Sequence, residues 1–288
     1  MIIKKMKTGR IVIFVFRIIP KGIISRFFGY ITRLRIPQYI LTFIISWYCK
    51  KFGVKKVEIL YPPGGFKTLD DFFTRNLKEG VHKIDSSSEA VVSPVDARIS
   101  YFGRINKKSI IQAKGIDYSL EALVPSAVSK EFVDGDFITL YLSPADYHHI
   151  HSPVDGNITG FFNIPGKLFP VKEFMVNGLK GLFSKNERVI SYIKTGRGLT
   201  AVCKVGAMNV GRITLSYAGV VTNKSFRHRN EFFYPESFCP HVKKGDNIGT
   251  FHLGSTVILL FQKDMIKFDK LEIGKAVRLG QRIAVYRD

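Results

Sequence analysis

Acid is missing from the first 57 residues of this 288-residue chain, cysteine occurs only three times, and no apolar run is long enough to cross a bilayer. Each absence excludes something. Cys49, Cys203 and Cys239 have neither metal-ligand spacing nor the rhythm of a disulfide framework, so they read as ordinary buried or half-buried thiols. The longest uncharged stretch, Ile36 to Cys49, is 14 residues and includes Pro37 and Gln38, short of the roughly 20 that a spanning helix needs. Ile11 to Phe16 supplies only six apolar residues before Arg17, too few for a secretory signal, so a cytoplasmic location is expected. No Gly-x-Ser-x-Gly elbow occurs, which argues against an α/β-hydrolase esterase.

What the chain has in excess is base. Of its net charge of +21, thirteen come from residues 1–57 (Lys4, Lys5, Lys7, Arg10, Arg17, Lys21, Arg26, Arg33, Arg35, Lys50, Lys51, Lys55 and Lys56), leaving +8 for the rest. The same segment is rich in large apolar residues, and Ile23, Ile24, Phe27, Phe28, Ile31 and Leu34 follow helical spacing with Lys21, Arg26 and Arg33 largely between them. That pattern predicts an amphipathic helix lying in an anionic membrane interface, peripheral rather than spanning. A nucleic-acid arm would not expose so many Phe and Ile side chains, so no nucleic-acid partner is expected.

Tyr61-Pro62-Pro63-Gly64-Gly65 breaks the pattern and sets a boundary near residue 58, separating a membrane-associating segment, 1–58, from a catalytic body, 59–288. Thr68-Leu69-Asp70-Asp71 has capping-box spacing and starts a helix. Beyond residue 90, short β-branched or aromatic runs alternate with Gly, Pro, Asn and Asp, predicting strands over 97–103, 137–142, 157–162, 189–194, 200–205, 212–221 and 255–261. Short helices are expected over 119–124 and 180–183. No fixed-period repeat is present, yet Ser93-Pro94-Val95-Asp96-Ala97 and Ser152-Pro153-Val154-Asp155-Gly156 are near copies, suggesting two equivalent turns.

Two clusters bear on chemistry. Leu253-Gly254-Ser255-Thr256 precedes the apolar run Val257-Ile258-Leu259-Leu260-Phe261 close to the C-terminus. Gly254 lacks a Cβ and tolerates strained backbone, so the Ser255 hydroxyl could approach its carbonyl in an N→O acyl shift, although Gly-Ser-Thr before a strand also makes an ordinary turn. Tyr147-His148-His149-Ile150-His151 places three imidazoles within four residues. In extended chain His149 and His151 point one way and His148 the other, with no thiol or acid at ligand spacing, so proton transfer is the reading and no metal is expected. Asp96, a histidine and Ser255 supply the types needed for a carboxylate-imidazole-hydroxyl relay.

Phe251-His252-Leu253-Gly254-Ser255-Thr256-Val257-Ile258, Tyr141 to His151 and Asn186-Glu187-Arg188-Val189-Ile190 together resemble the pyruvoyl-dependent phosphatidylserine decarboxylases. So do Gln112-Ala113-Lys114-Gly115, Pro165-Gly166-Lys167-Leu168 and Val205-Gly206-Ala207-Met208-Asn209-Val210-Gly211, in order from about residue 68 to the end. One departure is Ala97, where the family commonly has Gly. The resemblance implies an α+β fold: a β-rich catalytic domain with flanking helices, preceded by N-terminal amphipathic membrane-associating helices. It also implies a proenzyme in which Ser255 attacks the Gly254 carbonyl and the ester undergoes β-elimination. The dehydroalanine then hydrolyses to a covalent pyruvoyl group with loss of ammonia, leaving chains 1–254 and 255–288. By motif position Asp96 would orient His151, His151 would activate Ser255, and His148 would be the proton donor in decarboxylation. The pyruvoyl carbonyl condenses with the substrate amine and supplies the electron sink that side chains lack. The substrate so implied is phosphatidylserine, the product phosphatidylethanolamine, and the location the cytoplasmic face of the cell membrane; a homodimer is compatible with all of this. Arg188, Lys167 or the interface bases are the candidates to hold phosphate or carboxylate. Two other classes stay open: a peripheral lipid-binding protein without chemistry, and a serine hydrolase using Asp96, a histidine and Ser255.

Overall fold

A computed structural model describes residues 16, 18–113, 115–208, 212–223, 228–252 and 256–287. The run Thr256–Phe261 forms the centre of an antiparallel sheet and is buried throughout. In spatial order the sheet's strands are Asn230–Phe233, Gly156–Ile164, Arg188–Thr195, Gly198–Val205, Thr256–Phe261, Asp136–Tyr141, Ala97–Arg104 and Ala276–Val277; His241–Val242 also pairs with Gly156–Ile164. Both faces are covered, which explains why the central strand is apolar without alternation. Ile258 and Leu260 pack into a cluster with Phe72, Phe132 and Ile190, whereas Val257, Leu259 and Phe261 pack into a second with Ile150, Val202 and Phe251.

The second cluster is roofed by two smaller sheets, Arg212–Thr214/Asn247–His252/His149–His151 and Ala90–Val92/Arg282–Tyr286/Ile266–Phe268. The fold class is thus α+β and β-rich, with short helices at Leu120–Leu123 and Leu182–Lys185 near the expected positions. The predicted strand over 212–221 is cut short. It ends at Thr214, because the chain turns through Ser216-Tyr217-Ala218-Gly219 and returns to bridge Thr214 with Val221.

The near-copied Ser-Pro-Val-Asp turns are equivalent and reciprocal. Ser93 and Ser152 each donate Oγ to the valine carbonyl two residues on, at 2.7 and 2.6 Å. Val92 N donates to Pro153 O, and His151 N to Pro94 O, at 3.0 and 2.9 Å. Each aspartate caps the backbone of a matching loop, Asp96 Oδ1 accepting from Leu279 N at 2.9 Å and Asp155 Oδ1 from Lys244 N at 2.8 Å. Those loops share the pattern Val-x-x-Gly-x-x-Ile, at Val242 to Ile248 and at Val277 to Ile283.

Among the described residues, α-helices α1 (Lys21–Ile31), α2 (Gln38–Phe52) and α3 (Leu69–Phe73) precede the sheet. Helix α3 begins as the capping spacing predicts, Thr68 Oγ1 accepting from Asp71 N at 3.0 Å. Gly53, at φ 76°, ends α2 in the left-handed conformation. Helix α2 buries Leu41, Ile45, Tyr48 and Cys49 in the same cluster as Phe72 and Phe73. Helix α1 turns its polar side inward: Lys21 and Ser25 are buried, while Ile23, Phe27, Tyr30 and Ile31 face outward. Among the described residues no helix is long and apolar enough to cross a membrane.

Candidate active site

Between His252, the last residue of a small-sheet strand, and Thr256, the first of the central strand, the chain passes from one sheet to the other. Leu253, Gly254 and Ser255, the segment expected to be cut, lie outside the described residues; the elements around them hold the histidines. Strand His149–His151 pairs with Asn247–His252, and Phe251 N donates to His148 O at 2.9 Å.

Each imidazole of the cluster is bound differently. His148 is fully buried, donates Nδ1–H to Asp146 O at 2.7 Å, and has no partner for Nε2 among the described residues. His151 donates Nδ1–H to Gly245 O at 2.6 Å, and its buried Nε2 likewise has no partner. His149 is saturated, Nε2 donating to Thr74 O at 2.9 Å and Nδ1 accepting from Asn247 Nδ2 at 2.6 Å. Burial, assisted by the nearby Arg75 charge, pushes His148 down to about 3; burial pushes His151 down to about 4. Both are therefore neutral near pH 7, each with a lone pair on Nε2 fitted to accept a proton. His148 becomes a donor only after it has taken one.

The expected Asp96–His151 contact is not formed. The Asp96 carboxylate lies 2.8 and 3.0 Å from His82 Nε2 and also accepts from Leu279 N, while the donor nitrogen of His151 is taken by Gly245 O. The ring of Tyr147 stands near all three imidazoles, its centroid 5.6 Å from that of His82, 5.8 Å from that of His151, and stacked at 4.8 Å on His149. His82 was not among the candidates because a lone histidine in an irregular loop gives no periodic signal. Its only sequence mark is its position before the Ser93 to Ala97 turn. Asp155 has the backbone contact but is exposed at its own turn, so the carboxylate placed against an imidazole is Asp96.

Arg188 does not face a ligand. Burial lowers it to about 10, and its guanidinium donates to Leu123 O, Ser184 O, Asn186 O and Ala122 O at 2.7, 2.7, 3.0 and 2.7 Å, tying loops together. Asn186 and Gln112 likewise serve backbone groups, at Phe169 and Gly206 and at Val176, Leu179 and Leu182. Lys167 is exposed.

On the other side of His252, Asp70 of α3 accepts from Arg212 Nη2 at 2.9 Å and lies 3.0 Å from His252 Nδ1. Burial alone would raise this carboxyl, but the His252 hydrogen bond and the charges of His252, Arg212 and Arg33 bring it below its ordinary value. A cleft of about 460 Å³ opens there beneath α1.

Residues 69–285 match the family described as phosphatidylserine decarboxylase. A phosphatidylserine decarboxylase proenzyme of Myxococcus xanthus is 39% identical over 274 residues, spanning 93% of this chain and 96% of its own. The proenzyme of that name from Vibrio cholerae is 40% identical over 272 residues, 92% and 95% of the two chains. That from Idiomarina loihiensis is 36% identical over 288 residues, 98% of each.

Proposed function

Because the chain belongs to the phosphatidylserine decarboxylase family, matched over residues 69–285, we infer that it is a self-processing proenzyme converting phosphatidylserine to phosphatidylethanolamine and CO2. The observation that carries the assignment of roles is the pair of neutral, buried imidazoles, His148 and His151, whose Nε2 atoms have no partner among the described residues and whose segment pairs with Asn247–His252, the strand that leads to residues 253–255.

In processing, His151 Nε2 takes the hydroxyl proton of Ser255 as its Oγ bonds to the Gly254 carbonyl carbon and the Gly254–Ser255 C–N bond breaks. Loss of the Ser255 α-proton then expels the Gly254 carboxylate from Cβ, and water releases ammonia. The products are chains 1–254 and 255–288, the second beginning with a pyruvoyl group. The hydrogen bond to Gly245 O fixes the His151 tautomer that leaves Nε2 basic. Asp96 acts at one remove: its turn accepts the His151 backbone N–H at Pro94 O, and His82 holds its carboxylate.

The residues present fit a pyruvoyl group at position 255: Oγ1 of Thr256, next in sequence, and the Nε2 atoms of His148 and His151 are buried with no partner among the described residues. Its carbonyl supplies the electron sink for the pair left when CO2 departs. The substrate arrives as an ammonium, which must lose a proton before its amine can attack. His148 Nε2 is the group that passes a proton on to Cα after decarboxylation; at about 3 it relays a proton and does not store one. The desolvated setting around His148 keeps bulk water from competing for it.

The exposed apolar side of α1, continued by Tyr39, Phe43 and Trp47 of α2 and flanked by Lys50, Lys51, Lys55 and Lys56, supports docking on an anionic membrane surface from the cytoplasmic side. The segment 1–58 would serve this contact and 59–288 the chemistry.

The test is the intact mass of wild-type protein beside Ser255→Ala, His151→Ala and His148→Ala. Wild type should yield two chains, the smaller starting at residue 255 with a pyruvoyl end, and Ser255→Ala and His151→Ala one. His148→Ala should be cut yet release no CO2. A single uncut mass in wild type would remove self-processing, and identical behaviour of the two histidine variants would remove the division of roles.

A further inference from the structure

The cleft lies under α1, on the side opposite its outward apolar face. Its walls are Arg26 and Gly29 of α1 and Arg33, two residues beyond that helix, on one side and Asp70, Arg212 and His252 on the other. His252 is the last described residue before 253–255, so the cleft is lined by the strand that leads to the scissile pair.

Charge selects the occupant. Three arginines face one carboxylate, and that carboxylate is engaged by Arg212 and His252. Arg26 and Arg33 ion-pair with no carboxylate among the described residues. Arg33 uses only its Nε, donating to Gly29 O at 2.8 Å. Arg26 lies in α1 and Arg33 just past its end at Ile31, and both line the same cleft, so their long side chains can converge on one anion between them. Gly29 lies between them in sequence, and a Cβ built there meets nothing within 4 Å. That open space admits a head group held by charge-assisted contacts from the arginine side chains.

We propose that this cleft is the head-group site, and that Arg26 and Arg33 clamp the phosphodiester of the lipid while its amino-acid end reaches past His252. The proposal rests on the decarboxylase reading and gives α1 a second task. Held in this way, a lipid lays its acyl chains along Ile23, Phe27 and Tyr30 on the outward side of the same helix, which are 60%, 65% and 60% exposed. The head group enters the protein while the chains stay in the membrane. The cleft's volume of about 460 Å³ lies within the range of small-molecule sites, roughly 300–1,000 Å³. Free inorganic phosphate shares the anionic chemistry but has no acyl chains to lie along the exposed side of α1.

The test uses mature full-length enzyme with monomeric dihexanoyl-phosphatidylserine, so that vesicle binding does not enter the readout. Arg26→Gln and Arg33→Gln should each raise KM about tenfold, the loss of one charge-assisted contact, with kcat within about twofold. Gly29→Phe, which fills open space, should lower kcat/KM further while both chains keep their masses. Lys270→Gln, an exposed base that does not line the cleft, should change nothing. Glycerophosphoserine should compete with substrate far better than inorganic phosphate, and less well against Arg33→Gln. Unchanged KM in all three cleft variants, or losses seen only with anionic vesicles, would overturn the proposal. Equal competition by inorganic phosphate would make the cleft a free-anion site and overturn it too. Wild-type enzyme releasing no CO2 from any phosphatidylserine would instead sink the decarboxylase reading itself.

Discussion

At the residue scale the site is defined by which nitrogen of each imidazole is occupied. His151 and His148 both donate Nδ1–H to backbone carbonyls, and burial holds them at about 4 and about 3, below the ordinary 6.5. A group whose folded value is depressed binds protons more weakly in the fold than in the unfolded chain. Between pH 6.5 and about 4 the unfolded state therefore takes up more protons, and stability falls as pH falls through that window. The chemistry follows the same values. The rate of chain cleavage should stay level from about pH 8 to about 5.5 and decline only as His151 nears its own value of about 4. Cleavage followed by gel or mass over this range checks it; a midpoint near 6.5 would mean that His151 is hydrated rather than buried when it acts. The histidine triplet was legible from its residue types as a candidate for proton transfer, and its burial and neighbours were not. The tautomers were not, because Gly245 lies 94 residues from His151 in the chain.

At the scale of elements, the paired Ser-Pro-Val-Asp turns form the frame that places Asp96 and His151. Each is closed by a glycine in the left-handed region, Gly245 at φ 85° and Gly280 at φ 81°, and both pack against Ile84. A Cβ at Gly280 would stand 2.5 Å from Ile84 Cδ1 and 2.8 Å from Lys83 O. Gly280→Ala should therefore combine backbone strain with a clash, costing about 1–3 kcal/mol. It should also slow processing, since Leu279 N would shift from Asp96. Gly64, at φ 75° with open space around it, isolates the strain alone, and Gly64→Ala should cost about 1 kcal/mol with processing unchanged. Urea denaturation in the uncut Ser255→Ala background measures both; equal losses would show that packing against Ile84 contributes nothing. The near-copied turns were visible as strings of residues. Their partners were equally visible as Val-x-x-Gly-x-x-Ile, but a pattern split over two distant segments reads as a pair only after the turns are seen to bond each other.

At the scale of the whole molecule, base and apolar surface coincide on the N-terminal helices, and the reading proposed above assigns the chemistry to the β-rich body. Each base near an anionic surface contributes about 1 kcal/mol, screened within a Debye length of about 10 Å at 0.1 M salt. Co-sedimentation with phosphatidylserine-containing vesicles should thus weaken steeply between 0.05 and 0.5 M salt, and Phe27→Ser with Phe43→Ser should weaken it further at fixed salt. Equal, salt-independent binding to neutral vesicles would contradict the interfacial reading. The family motifs, the Gly254-Ser255 pair, the central apolar strand, the α3 cap and the charge asymmetry follow from the sequence by itself, because each depends on residues within a turn or a strand of one another. Only the tertiary structure decided that Asp96 belongs to His82, that the Arg188 guanidinium is taken up by backbone carbonyls of neighbouring loops, and that Arg26 of α1 and Arg33 just beyond it share a cleft with His252. Such partners can lie far apart in the chain, as His252 and Asp70 do at 182 positions. A buried hydrogen-bonding group takes the partner that the packed fold brings to it, and nothing local in the chain specifies which that will be.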